Sequence, residues 1–502
     1  MTVGRDSGTQ VDHVDDNRVV FAPSLTWKPN ADTSLTLQAL HQKDQSGSLI
    51  GFFPWQGTQL PSQYGQIPRN TFISEPGWDA YDTRNNSWGY LFSHRLNSDW
   101  TVRQNLRRTV SEVDYRTIYT SFTANAATGR PARPVFNSDN RTLVRDAVWN
   151  LNTGRMLLID TQLEGKLQAG STAHTLLAGL DVQRNHTGQQ AWRAVASSID
   201  VYNPVYGNFT PPTAAQLVRQ PSVVQKQLGF YAQDQIQWGR WTATLGLRHD
   251  SAQTDIEGRP AAAVDDKAWT QRAGVTYQMD GGWAPYVGYS ESFQPLGGLD
   301  AYGTPYTPQR GEQWEAGVKW QPPGQGISAF AAVYTLREKN RKTTDPSNPL
   351  NSLQIGEVKV NGFEAEVQAS LARQWDFTLA YAFTDAQISR SNAGDQGQAV
   401  AGAPRHTASA WLSHRFAAQG RGGWVVGAGV RYTGSQWTGT SAITTPAATL
   451  ADAMVAYDAG DWRVAFNVVN LTDKVHITQC LARGDCFYGQ ARTYTLTSTY
   501  RF

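Results

Sequence analysis

Two-residue alternation of apolar and small polar side chains runs the length of this 502-residue chain and decides what it can fold into. Trp375, Phe377, Leu379, Tyr381 and Phe383 fall on one side, and Asp376, Thr378, Ala380, Ala382 and Thr384 on the other. Trp241, Ala243, Leu245 and Leu247 alternate in the same way with Thr242, Thr244, Gly246 and Arg248. Near the end, Tyr494, Leu496, Tyr500 and Phe502 oppose Thr493, Thr495, Thr497, Thr499 and Arg501. A period of two belongs to a strand with one apolar and one polar face, and no 3.6-residue stripe competes with it. The chain is therefore read as all-β. Its longest uninterrupted apolar run, residues 329–334, is far short of the roughly 20 residues a membrane-crossing helix needs.

The connections between these strands alternate between short and long. Nine short ones and nine long ones imply 19 strands. Tight turns on one rim and long loops on the other are the pattern of an outer-membrane β-barrel with short periplasmic turns and long extracellular loops. Tryptophans mark the tight-turn rim: Trp100, Trp241, Trp283, Trp375, Trp424 and Trp462 open strands, and Trp27, Trp238 and Trp320 close them. Indole settles at the headgroup level, where its ring is apolar and its N–H wet, so these nine read as an interfacial girdle. No blade-length repeat supports a propeller. An odd count would leave the first strand (Val19 to Lys28) parallel to the last, whereas bacterial barrels are normally even. The chain is accordingly expected to be truncated at its N-terminus, and its first eight residues, Met-Thr-Val-Gly-Arg-Asp-Ser-Gly, do not form a signal peptide.

Charge excludes more than it suggests. Lys+Arg 44 against Asp+Glu 42 leaves a net charge of +2, no footprint for nucleic acid. The nine histidines form no HxH or HExxH pattern, and there is no GxSxG or P-loop, so neither a metal site nor an enzyme is expected. Cys480 and Cys486, the only two cysteines, read as a short-loop disulfide in preference to two free thiols. The long loops are rich in aromatics, including the block Gly51-Phe-Phe-Pro-Trp55 and Tyr64, Trp78, Tyr119, Trp192, Tyr202 and Tyr206. Such residues either pack among themselves or hold a bulky, partly polar small ligand.

Several ordered blocks resemble one family. Tyr289-Ser-Glu-Ser-Phe-Gln-Pro295, Gly311-Glu-Gln-Trp-Glu-Ala-Gly317, Ala382-Phe-Thr-Asp-Ala386, Asn470-Leu-Thr-Asp-Lys474 and the closing Thr499-Tyr-Arg-Phe502 are similar to TonB-dependent siderophore receptors, most of all the ferrichrome-type hydroxamate receptors. The resemblance covers residues 1–502 as one barrel domain. It implies a 22-stranded barrel with an N-terminal plug, of which this chain would supply 19 strands and lack the signal peptide, TonB box, plug and first three strands. It implies a monomer in the bacterial outer membrane, in contact with lipid, that binds a ferric siderophore. Iron is then cargo rather than a resident cofactor, and the TonB complex is a partner whose contact segment is missing. By the same resemblance Phe53, Trp55, Tyr119 and Trp192 are expected in the ligand pocket, and Cys480–Cys486 matches the last-loop disulfide. Leu481 departs from the aromatic residue usual between those cysteines. The alternative reading is a passive outer-membrane channel or a non-functional remnant.

Overall fold

A computed structural model describes residues 2–49, 51–124, 131–296, 300, 302, 304, 306–344, 352–372, 374–392, 394–416 and 422–501. Twenty-two strand segments form one antiparallel sheet that curls into a barrel. Two staves are each built from two segments. Asp16–Phe21 and Ser24–Trp27 both pair with Thr33–Ser46, and Val218–Arg219 and Val223–Trp238 both pair with Thr172–Asp200, which leaves twenty staves.

All 19 expected strands are present, and the twentieth is the short strand Thr2–Arg5, paired antiparallel with Asp16–Phe21. Four residues are too few to show alternation, so it escaped the count. It also restores even parity: the first and last staves run antiparallel rather than parallel. They do not pair with each other, however. Among the described residues no ladder joins Thr2–Arg5 to Thr493–Tyr500, and a cavity of about 1690 Å³ lies between them, flanked by Val3, Gly4 and Arg5 on one edge and Thr495, Leu496 and Thr497 on the other.

The alternation sets the two faces of the wall. Leu245 and Leu379 are 52% and 41% exposed on the outside, while their neighbours Thr244 and Thr378 are half-buried on the lumen side. Directly paired residues of antiparallel strands share a face, so the outward identity passes from stave to stave. Seven of the nine expected girdle tryptophans are exposed, Trp27, Trp238 and Trp424 among them. Trp283 and Trp320 are directly paired on adjacent strands at the tight-turn rim, with ring centroids 5.3 Å apart.

Candidate functional site

About 9–11 tilted residues carry a strand across a bilayer. Trp100–Thr120, Thr142–Ala169 and Thr172–Asp200 have 21, 28 and 29 residues, so one side of the barrel rises far above the membrane. The longest has about 18 residues to spare, roughly 60 Å of strand at 3.3 Å per residue. The neighbouring strand Ala80–Arg95 ends opposite Arg116, leaving the edge of residues 117–120 open. The first long loop, residues 47–79, fills that notch. The backbone N–H of Ile118 donates to Ser74 Oγ at 2.9 Å, which satisfies a strand edge that would otherwise be unpaired.

The loop is held by a core of its own. Phe53, Ile67 and Ile73 pack with Leu143, Ile199 and Val201, none more than 4% exposed. Gly51 makes the approach possible, because a Cβ there would lie 2.2 Å from the Phe53 ring. Beside this core Arg145 is wholly buried. Its guanidinium donates to the carbonyls of Ile73 and Ser197, each at 2.7 Å, and pairs with Glu75 at 2.9 Å. Glu75 also accepts from the Gly207 N–H, which draws the loop after residue 200 into the same assembly. A buried charge is tolerable when it is paired and hydrogen-bonded in this way.

The last long loop completes the structure from the other side of the open seam. Ile477–Cys480 and Asp485–Tyr488 form a hairpin with Cys480 and Cys486 as a directly paired, disulfide-bonded couple. Gly484 turns it with φ of +104°, a conformation that suits glycine. Phe53–Pro54 then joins the hairpin as a third strand. The Trp55 backbone N–H donates to the Gly484 carbonyl at 2.9 Å and its indole N–H to the Leu481 carbonyl at 3.1 Å. Tyr488 reaches back to the Ile67 carbonyl at 2.7 Å, and burial pushes its phenol up to about 12. Arg69 and Asp473 add an ion pair at 2.7 Å. The loops on the two sides of the seam are thus knitted together above it.

An aromatic rim lies where these loops meet. The Phe52 ring contacts Tyr119, Phe122 and Phe487 at centroid distances of 5.8, 6.4 and 5.5 Å. The Arg483 guanidinium stands over both Phe52 and Phe122, 5.4 and 4.7 Å from their centroids, while paired with Asp485 at 2.8 Å. Arg193 donates to the Tyr119 hydroxyl at 2.9 Å. Phe52 has φ of +47°, a left-handed conformation that costs a non-glycine residue about 1–3 kcal/mol and tends to collect at ligand clamps.

The four expected pocket residues are distributed unevenly over this arrangement. Tyr119 is on the rim. Phe53 is buried in the loop core, and Trp55 packs near Ile443, Ile477 and the disulfide. Trp192 belongs to a separate cluster with Trp78, Ile118, Ala147 and Phe209. Phe52, Phe122, Phe487 and Arg483 were missed by sequence reasoning. Phe52 was within reach only because it stands in the Gly51-Phe-Phe-Pro-Trp55 block already singled out. The other three come from loops whose mutual approach has no sequence signal.

Such a barrel, with a tall wall carrying a knitted aromatic rim, is an outer-membrane receptor in construction rather than a simple pore. Its sequence matches the family model described as TonB dependent receptor-like, beta-barrel, over residues 23–471. The chain belongs to the TonB-dependent receptor family and lies in the outer membrane. It is 32% identical over 508 residues to the ferrioxamine B receptor of Salmonella typhimurium (strain LT2), covering 99% of this chain and 70% of that protein. It is also 32% identical over 520 residues to the ferrichrome outer membrane transporter/phage receptor of Escherichia coli K12, covering 100% of this chain and 69% of that one. Among solved structures, the ferric-catecholate import receptor Fiu of E. coli K12 superposes with a TM-score of 0.85 at 21% identity, over 100% of this chain and 77% of Fiu. The siderophore receptor PiuA of Acinetobacter baumannii gives 0.86 at 18% identity, over 100% of this chain and 77% of PiuA. These two likenesses concern the fold alone.

Proposed function

We propose that this receptor takes ferric hydroxamate siderophores, and that the rim of Phe52, Tyr119, Phe122 and Phe487 is where they first bind. The observation that carries the reading is the gathering of those rings, with Arg483 and Arg193, from separate segments of the chain. A ferric hydroxamate complex is a compact body with an apolar ligand backbone and outward carbonyl oxygens. Aromatic faces would cover the former, and the phenol and guanidinium groups would donate to the latter. The relatives named for ferrioxamine B and ferrichrome support the same ligand class. In this reading Phe53 and Trp55 hold the loops that present the rim, and Tyr119 touches the ligand.

Energised uptake is proposed to need a plug and a TonB-contact segment joined to this barrel. Binding is separable from it and can be measured directly. Titrating the folded, detergent-solubilised chain with ferrioxamine B or ferrichrome should quench its intrinsic fluorescence saturably, and iron-free ligand should bind at least tenfold more weakly. No saturable binding of either ferric complex would overturn the proposal. The unpaired seam supports a second reading, a passive channel. Steady conductance in planar bilayers that ferric siderophore does not block would favour it.

A further inference from the structure

One cation of the rim has its counter-charge hidden beneath it. Arg483 stands at the tip of the last-loop hairpin, where the Leu481 N–H donates to the Asp485 carbonyl at 2.8 Å and the Gly484 N–H to the Leu481 carbonyl at 3.0 Å. The Cys480–Cys486 disulfide pins the two strands just below that turn. The Arg483 guanidinium covers the Phe52 and Phe122 rings, while its Nε and one terminal nitrogen donate to the two oxygens of Asp485 at 2.8 and 3.0 Å. The partners differ in access: the Arg483 side chain is 32% exposed and that of Asp485 is wholly buried. Arg483 is the one cation paired with Asp485 among the described residues.

That arrangement separates hydrogen bonding from charge. Bidentate pairing occupies two N–H donors of the guanidinium and leaves the others for a ligand. The carboxylate behind it largely cancels its positive field, so an approaching ligand meets donors without meeting a net cation. The other cation of the rim is matched in the same way. Arg193 donates to the Tyr119 hydroxyl. Asp146 pairs in register with Tyr119 on one side and with Val195 on the other, two residues from Arg193, which puts an acid on the face that carries Arg193. Among the described side chains of the rim, each arginine therefore has its acid.

Resting on the reading of this rim as a ferric siderophore site, we propose that Asp485 sets its charge preference. By neutralising Arg483 from beneath, it makes the rim accept neutral and monocationic iron complexes and disfavour polyanionic ones. Asp485 touches no ligand in this scheme; it is a positioning residue that acts through Arg483. The chemistry of the two ligand classes makes the distinction large. Three monoanionic hydroxamates cancel the charge of Fe(III), and the pendant amine of ferrioxamine B makes that complex a cation. Three dianionic catecholates leave a trianion. Coulomb energy scales with the product of the charges, so a cation unmasked at the rim would act most strongly on the trianion and with opposite sign on ferrioxamine B.

The test is calorimetric titration of the folded, detergent-solubilised wild type, Asp485→Asn and Asp485→Glu with ferrichrome, ferrioxamine B and a ferric tris-catecholate. Relative to wild type, Asp485→Asn should bind the tris-catecholate at least tenfold more tightly and ferrioxamine B severalfold more weakly, with the neutral ferrichrome shifted least. Asp485→Glu, which keeps the charge, should restore the wild-type order. Damage to the hairpin would instead weaken all three ligands together. Should Asp485→Asn fold poorly, the wild type alone suffices. A tenfold drop in ionic strength should raise its affinity for the tris-catecholate by less than about threefold, because a neutral rim offers little charge for salt to screen. An unchanged ratio of tris-catecholate to ferrioxamine B affinity in Asp485→Asn, a parallel loss for all three ligands, or a steep gain in wild-type tris-catecholate affinity at low salt would each overturn the proposal. A wild type that binds neither hydroxamate complex would count against the ligand class proposed above, while the tris-catecholate titrations would still decide the role of Asp485.

Discussion

The tall wall and the seam are built from the same two-residue alternation, yet they end differently. Thr142–Ala169 and Thr172–Asp200 continue well past the membrane, and every extra residue pairs with a neighbour or carries a loop. Trp462–Val469 and Thr493–Tyr500 stop at eight residues, slightly under the 9–11 that carry a strand across a bilayer, and among the described residues the second forms a ladder on one side. Strand length beyond the membrane is thus a scaffold for the aromatic rim. Strand number and edge pairing decide whether the barrel is sealed. The rim joins the two sides because the last loop, which springs from the short staves, docks on the first loop, which is anchored to the tall wall.

The sharpest way to break this contrast is to unfasten the first loop from the wall. Arg145→Ala leaves Glu75 buried without its partner and should cost about 3–5 kcal/mol. Rapid proteolysis within residues 47–79, with the barrel staves still protected, is the expected result. A loop as resistant as in the wild type would mean that Arg145 is not its anchor. Next in size is the contrast between faces. Leu245→Arg or Leu379→Arg should cost roughly 2–4 kcal/mol near the bilayer midplane, and Thr244→Arg or Thr378→Arg much less. Folding yields in lipid vesicles measure the difference, and equal losses would contradict the assignment of faces.

The disulfide sharpens the account of the last loop. Closing a loop between residues six apart should stabilise it by about 2 kcal/mol in the chain-entropy view. Cys480→Ser with Cys486→Ser should therefore raise amide exchange in Asp485–Tyr488 and in its partner Phe53–Pro54, while leaving Thr493–Tyr500 unchanged. The smallest effect concerns Asp79, where burial raises the carboxyl above its ordinary value although the Ser48 N–H donates to it. The folded loop favours the neutral form, so stability falls as pH climbs from the unfolded value near 4 through the raised folded one. Asp79→Asn, which keeps an acceptor for Ser48, should raise the loop's stability at pH 7 and make no difference below about pH 4.

The fold was largely legible because a lipid-facing strand must show its period. The apolar face of Trp241–Ile256 and the tryptophans at the tight turns announce both strand and membrane. Thr2–Arg5 was not legible, being too short to show a period. The site was legible only in part. The Gly51-Phe-Phe block declared that aromatics matter, but whether Phe52 or Phe53 faces the rim depends on Leu143 and Ile199, which lie far along the chain. Arg483 and Phe122 meet over Phe52 through three separate loops, and no local pattern encodes that meeting.

The central claim is that ferric siderophore binds at the rim and that the neighbouring tryptophan cluster only supports the wall. Affinity for ferrioxamine B and ferrichrome, measured by calorimetry on wild type, Phe52→Ala, Tyr119→Ala and Trp192→Phe, tests it most directly. Each rim variant should bind at least tenfold more weakly, about 1.4 kcal/mol, while Trp192→Phe stays within twofold of wild type. Unchanged affinity in Phe52→Ala and Tyr119→Ala, with loss confined to Trp192→Phe, would contradict the account.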